Sequence, residues 1–231
     1  MGEIIQFPSN GSTGEGYLAL PPGGQGPGLV VIQEWWGLVD HIKDVCDRFA
    51  AEGFVALAPD LYHGRTVDEP DEAGKAMMAM ELGRAAQDMS GAVDEVSRRA
   101  GSDEVGVIGF CMGGGLALVL ATRRPDKVKA VMPCYGVIPW PDAQPDYTAL
   151  SAAVEGHYAE RDDFFTPEAA QALGRQLADM GKDVEIVIHP ASDHAFFNDT
   201  RPEVYNPEEA EVLWQAALRF FGQHLGAAAP G

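Results

Sequence analysis

Val107-Ile108-Gly109-Phe110-Cys111-Met112-Gly113-Gly114-Gly115-Leu116 reads as a buried strand that breaks directly into a helix, with G-x-C-x-G at the junction. A turn this sharp forces its central residue into strained backbone angles, and a side chain two positions before or after would collide with neighbouring backbone. Gly109 and Gly113 remove those collisions. The turn lifts the Cys111 sulfur out of the sheet and leaves it at a helix N-terminus, where unpaired N–H groups and the positive dipole end stabilise a thiolate. The Met112 amide is a natural donor to an oxyanion formed beside that sulfur. The competing role for Cys111 is that of a small core residue, with glycines that only let a helix pack on a sheet. Phosphate binding is the other use of a glycine-rich strand-to-helix turn, but neither GxGxxG nor GK[ST] is present.

Outward from this turn, strand and helix patterns alternate. Glu3 to Phe7 and Gly16 to Leu20 read as an N-terminal antiparallel pair, and Leu29 to Gln33 as a buried strand after the loop Pro21 to Gly28. Asp40 is expected to cap a helix whose apolar residues Ile42, Val45, Cys46, Phe49 and Ala50 form one stripe, ending at Gly53. Strand Phe54 to Ala58, a helical region within Asp71 to Ala100, strand Val105 to Phe110, helix Met112 to Arg124 and strand Ala130 to Tyr135 follow. Then come strand Ala153 to His157, helix Pro167 to Met180, strand Val184 to Ile188 and helix Pro207 to Leu225. The pattern predicts an α/β fold, with about eight strands in a mostly parallel sheet and helices on both faces. Such sheets bind ligands beyond the carboxyl ends of their strands, which singles out Glu34 to Leu38, Cys111 to Gly115, Tyr158 to Thr166 and His189 to Thr200.

Composition narrows the partners. Of 231 residues, 35 are acidic and 16 are Lys or Arg, a formal charge of −19 that disfavours nucleic acid and anionic membrane surfaces. A small molecule is the expected ligand. With 46% apolar residues the chain can bury a substantial core, and no repeat or low-complexity linker divides it, so residues 1–231 are expected to form a single domain. Three cysteines outside any CxxC pattern predict neither a disulfide framework nor a zinc site. No basic-then-apolar leader and no long apolar run is present, so the expectation is a cytoplasmic protein, monomeric or a small homo-oligomer.

A cysteine nucleophile needs an imidazole to move its proton and a carboxylate to orient that imidazole, in the chain order nucleophile, acid, histidine. Of six histidines, His41 and His63 precede Cys111, His157 lies within a strand, and His224 in the last helix. His194 sits in a loop beyond a strand and is preferred to His189, which ends one. In Ala159-Glu160-Arg161-Asp162-Asp163 either aspartate can orient the histidine or merely favour the following helix N-terminus; Asp162 is chosen over Asp163.

These residues resemble the dienelactone hydrolase (carboxymethylenebutenolidase-like) family of α/β-hydrolases. The resemblance spans essentially the whole chain, through Gln33-Glu34-Trp35-Trp36-Gly37, Ala58-Pro59-Asp60-Leu61-Tyr62, Gly109-Phe110-Cys111-Met112-Gly113-Gly114, and His194-Ala195-Phe196 with Asn198-Asp199-Thr200-Arg201-Pro202. It implies a triad of Cys111, Asp162 and His194, an oxyanion hole from the Trp35 and Met112 amides, and a role for Glu34 in generating the thiolate as substrate binds. Trp36, Phe197, Asn198, Arg84 and Arg201 are the pocket candidates. The family's dienelactone hydrolases hold a substrate carboxylate with arginines. Between Pro70 and Leu82 this chain has Lys75 and no arginine, and Asn198 stands where another is expected, leaving Arg84 or Arg201 for that task. The implied activity is hydrolysis of small activated esters or lactones through an acyl-cysteine, with no metal or organic cofactor required. A broad carboxylesterase or thioesterase, and a non-catalytic ligand-binding or redox-sensing member of the fold, are the alternatives.

Overall fold

The computed structural model describes residues 1–136 and 138–226. Its strands are β1 (Glu3–Ser9), β2 (Ser12–Ala19), β3 (Gly28–Ile32), β4 (Val55–Pro59), β5 (Val105–Phe110), β6 (Val128–Cys134), β7 (Ala153–Arg161) and β8 (Val184–Asp193). The helices are α1 (Asp40–Ala51), α2 (Pro70–Met78), α3 (Leu82–Ala100), α4 (Met112–Arg123), α5 (Pro167–Asp179) and α6 (Pro207–Leu225). One eight-stranded sheet runs in the order β1-β2-β4-β3-β5-β6-β7-β8. The β1–β2 and β2–β4 pairs are antiparallel, and every pair from β4 to β8 is parallel. This is the mostly parallel α/β architecture that the alternation predicts.

The central strands β3, β4 and β5 are buried at every residue because helices cover both faces of the sheet. In α1 the stripe Ile42, Val45, Cys46, Phe49 and Ala50 is buried, and Gly53 takes φ 96°, the left-handed conformation that ends the helix cheaply. In α4 all residues from Met112 to Thr122 are buried, so this helix has no solvent face and shows little amphipathic patterning. Among the described residues no helix is long and apolar enough to cross a bilayer.

Several boundaries differ from the sequence reading, among them β7, which runs on past His157 to Arg161. Asp40 lies in the first turn of α1 rather than capping it; its carboxylate reaches Lys43 at 3.0 Å, and Val39 is the residue at the N-cap. The β1–β2 hairpin is longer than expected, closing through Asn10 and Gly11 at φ 43° and 95°, the positive angles of a tight two-residue turn. The helical region before β5 divides into α2 and α3 at Ala79 to Glu81. Finally, β8 continues past Ile188 to Asp193 and includes Pro190, which an edge strand tolerates because its outer side needs no donor.

Candidate active site

The four segments singled out beyond the carboxyl ends of the strands converge at one end of the sheet. Cys111 occupies the turn between β5 and α4 with φ 54° and ψ −121°, a strained conformation for a residue with a side chain. Its amide bonds the Cys134 carbonyl at 3.0 Å, and its own carbonyl accepts from Gly114 at 2.9 Å. The glycines around it follow from close backbone approach. A Cβ on Gly109 would strike the Gly113 carbonyl, one on Gly113 would strike the carbonyls of Ile32 and Gln33, and Gly114 packs on Gly136 at the end of β6.

β7 and β8 bring up the acid and the histidine. Asp162 follows β7 directly and is buried; its Oδ2 lies 2.7 Å from His194 Nδ1. Its Oδ1 accepts from the amides of Phe164 and Phe165 at 2.8 and 3.1 Å, so the carboxylate is held from both sides. Asp163, the other aspartate considered, lines the cleft and makes no bond to the ring. Successive residues at a strand end point to opposite sides, so only one of such a pair can face the histidine. Burial lowers the His194 value, but the hydrogen bond with Asp162 and the neighbouring Cys111 sulfur outweigh it and push the imidazole up to about 10. The ring is further fixed between Tyr135 and Phe164, with centroids 5.2 and 5.0 Å away. His189, the histidine passed over, is fully buried in a separate network with His157 and Glu209.

Glu34 follows β3, lines the same cleft and is buried. Its Oε2 accepts from Asn198 Nδ2 at 2.7 Å, while Oε1 has no partner. Among the described residues, neither the Trp35 nor the Met112 amide has a hydrogen-bond acceptor, and both belong to the turns that flank the sulfur. The cleft holds about 1070 Å³ and is walled by aromatic and aliphatic groups, chiefly Trp35, Trp36, Leu118, Ile138, Tyr158 and Phe164.

Three of the five pocket candidates do not line the cleft. Arg84 is on α3, where it bonds Asp88 Oδ2 at 3.0 Å and the Thr13 carbonyl at 2.6 Å, and it does not line the cleft. Phe197 is core: its ring stacks on Phe110 at 5.3 Å and faces Trp214 at 6.5 Å. Side-chain direction in a loop is set by what it packs against, which one-dimensional proximity to His194 does not carry. Asn198 is buried behind the cleft, holding Glu34 rather than lining the space. Trp36 and Arg201 do line it, with the guanidinium 5.1 Å from the Trp36 ring.

Tyr135 and Phe164 were not read from the sequence. Tyr135 follows β6 at φ 38°, is fully buried, and has no hydroxyl partner; burial and the nearby Glu34 charge raise its pKa well above the ordinary tyrosine value. Its position immediately after a central strand was the one signal available.

The model of the Dienelactone hydrolase family matches residues 15–225. The chain belongs to the dienelactone hydrolase family. Among its curated relatives, Protein usf of Aquifex pyrophilus is 37% identical, with 97% of this chain and 100% of that one aligned. A protein of Aquifex aeolicus bearing the name "Putative carboxymethylenebutenolidase" is 36% identical over the same shares of the two chains. Among solved structures, a "Putative Dienelactone Hydrolase" from Klebsiella pneumoniae superposes with a TM-score of 0.87 at 28% identity, covering 96% of this chain and 98% of that one. The dienelactone hydrolase family and its carboxymethylenebutenolidase relatives make this chain a hydrolase of the α/β-hydrolase fold.

Proposed function

We propose that the protein hydrolyses uncharged, largely apolar activated esters or enol lactones through an acyl-Cys111 intermediate. The observation that carries this reading is the alignment of a strained Cys111 with an imidazole held by Asp162 at 2.7 Å, at the floor of an apolar cleft. The Cys111 thiolate attacks the carbonyl carbon while the amides of Trp35 and Met112 receive the developing oxyanion. As the tetrahedral species collapses, His194 gives its proton to the leaving oxygen and a thioester remains. The neutral ring then takes a proton from water, hydroxide attacks the thioester, and the thiolate is expelled. An ordinary thiol and a phenol have pKa values of about 8.5 and 10, so thiolate and phenolate are leaving groups of comparable ability, and the proton from His194 tips the tetrahedral species forward for phenol and enol oxygens; an amide's far more basic nitrogen leaves less readily, and the species returns to thiolate.

Charge inside the cleft supports uncharged substrates. The cations lining it are each engaged, His194 with Asp162 at 2.7 Å, Arg161 with Asp193 at 2.9 Å and Arg201 with Glu203 at 2.6 Å. Glu34 and Asp163 add negative charge to the lining. An anionic substrate would enter this cleft without a free counter-charge. The buried, unpaired thiols of Cys46 and Cys134 fit work in a reducing compartment, the cytoplasm.

The test is turnover of matched phenyl, enol-lactone and thioester substrates with and without a carboxylate, alongside Cys111→Ser and His194→Ala, with mass spectrometry of quenched enzyme. The reading requires an acyl adduct on Cys111, loss of at least about a hundredfold in rate in both variants, and faster turnover of the uncharged member of each pair. Full activity in Cys111→Ser, or alkylation of Cys111 by iodoacetamide with no ester turned over, would overturn it.

A further inference from the structure

Four titratable side chains form one hydrogen-bonded file, of which Glu155, His157 and His189 are buried and Glu209 is partly exposed at its end. Glu155 and His157 come from β7, His189 from β8 and Glu209 from the first turn of α6. Glu155 Oε1 lies 3.1 Å from His157 Nε2, His157 Nδ1 lies 2.8 Å from His189 Nε2, and His189 Nδ1 lies 2.7 Å from Glu209 Oε2. Both imidazoles are buried. The file therefore contains three hydrogen bonds in series, and each needs one proton. Two neutral imidazoles bring one N–H each and two carboxylates bring none. With two protons, either the ring nitrogens face each other at 2.8 Å with bare lone pairs, or one carboxylate faces a bare nitrogen. Only a third proton, carried by an imidazole or a carboxyl group, satisfies all three bonds.

The file is placed to matter for the site. His189 and Glu209 bracket residues 190–208, the stretch that carries His194 and Asn198. The two brackets are joined directly through the 2.7 Å bond, and inside the stretch the Asn206 amide donates to the Phe196 carbonyl at 3.0 Å. The Phe196 ring lies 4.6 Å from His189 on one side and 5.6 Å from Tyr135 on the other, and Tyr135 in turn lies against His194. The Tyr135 amide donates to the His157 carbonyl at 2.6 Å. From the file to the catalytic imidazole there is continuous contact.

We propose that His157 and His189 are positioning residues that share one extra proton between Glu155 and Glu209, and that this proton holds the His194 loop in register with Cys111. The proposal takes the catalytic roles above as its frame. The other groups facing the file are Arg219 of α6, 3.4 Å from Glu155 Oε1; Cys134 of β6, opposite His157 in register; and Glu185, the exposed cross-strand neighbour of Glu155. Burial holds the Cys134 thiol protonated, so it contributes no charge. Arg219 balances one carboxylate, leaving the second to be balanced by the extra proton. Burial and the adjoining His157 ring lower His189 against the pull of Glu209, so the spare proton is held on the acid side of the ordinary histidine value and released as pH rises. Above that step one of the three bonds is lost and the loop loosens.

Glu209→Gln separates this proposal from a merely structural network. The amide donates to His189 Nδ1, His189 Nε2–H then donates to His157, and His157 Nε2–H donates to Glu155. All three bonds are made with two ring protons and no extra one. In the wild type, histidine-selective nitrogen NMR should count three protons in the file below one shared titration step and two above it. Amide-exchange protection of Phe196 and Asn206 should fall about tenfold across that step, and kcat on any ester turned over should fall with it at unchanged KM. In Glu209→Gln the NMR step and the loss of protection should both vanish. Two rings that titrate separately, or a protection step that persists in Glu209→Gln, would overturn the proposal. NMR and exchange need no substrate, so an error in the proposed reaction would show as missing turnover with these two readouts intact.

Discussion

Asn198 donates its side-chain amide to Glu34 across 2.7 Å, joining residues 164 positions apart, and both partners are buried. The bond is the route by which the loop after His194 fixes the carboxylate after β3. Asn198 Oδ1 in turn accepts from the Thr200 hydroxyl at 2.6 Å, so the amide cannot flip without losing both contacts. Asn198→Leu leaves a buried carboxylate oxygen with no donor, a loss of about 1–3 kcal/mol of stability. Urea denaturation should show the lower midpoint, with an unchanged slope, and an unchanged midpoint would contradict the assigned contact.

His194 gives stability a defined pH dependence. Its value in the folded protein is raised from 6.5 to about 10, so its contribution is complete below pH 6.5 and is lost as pH rises through about 10. Denaturation midpoints measured across that window should fall for the wild type. The fall should be smaller in Asp162→Asn, which removes one of the two groups that raise the value.

Phe164 is 67% exposed, yet its ring lies 5.0 Å from His194 and 6.4 Å from Trp35 at the mouth of the cleft. Truncating so exposed a side chain should change stability by less than about 0.5 kcal/mol. For aryl or long-chain esters, Phe164→Ala should nonetheless lower kcat/KM about tenfold, a loss on the order of 1.4 kcal/mol of transition-state contact. Acetyl esters, too short to reach the ring, should be less affected. Steady-state kinetics on a chain-length series supplies the check.

Arg84 should behave as a structural residue. It supports the fully buried Asp88, which also accepts from Ser9 Oγ at 2.6 Å. Arg84→Ala should cost about 1–3 kcal/mol by removing a charged hydrogen bond, and leave kcat/KM within about twofold. A selective rise in KM for carboxylate-bearing substrates would instead return Arg84 to the binding site.

The alternation of apolar runs and amphipathic stripes, together with G-x-C-x-G at a strand-to-helix junction, was enough to fix the α/β class and to single out Cys111. Backbone strain and glycine spacing are local properties, written in consecutive residues. Chain order and position beyond a strand then separated His194 from the other histidines. Family likeness supplied Glu34 and the Trp35 amide, because nothing local distinguishes that carboxylate from one that caps a turn.

Tertiary packing decided the rest. It turned Asp162, the aspartate preferred from the sequence, toward His194 and left Asp163 off the ring, and sent Arg84 to Asp88 and Phe197 into the core. It paired Asn198 with Glu34 and lined up Glu155, His157, His189 and Glu209 from three separate elements. A sequence read along its length carries the periodicity that selects strands and helices. The direction of a side chain at the end of a strand, or in the loop beyond it, is settled by which distant groups remain to be buried or hydrogen-bonded there, and that information exists only once the sheet has closed around them.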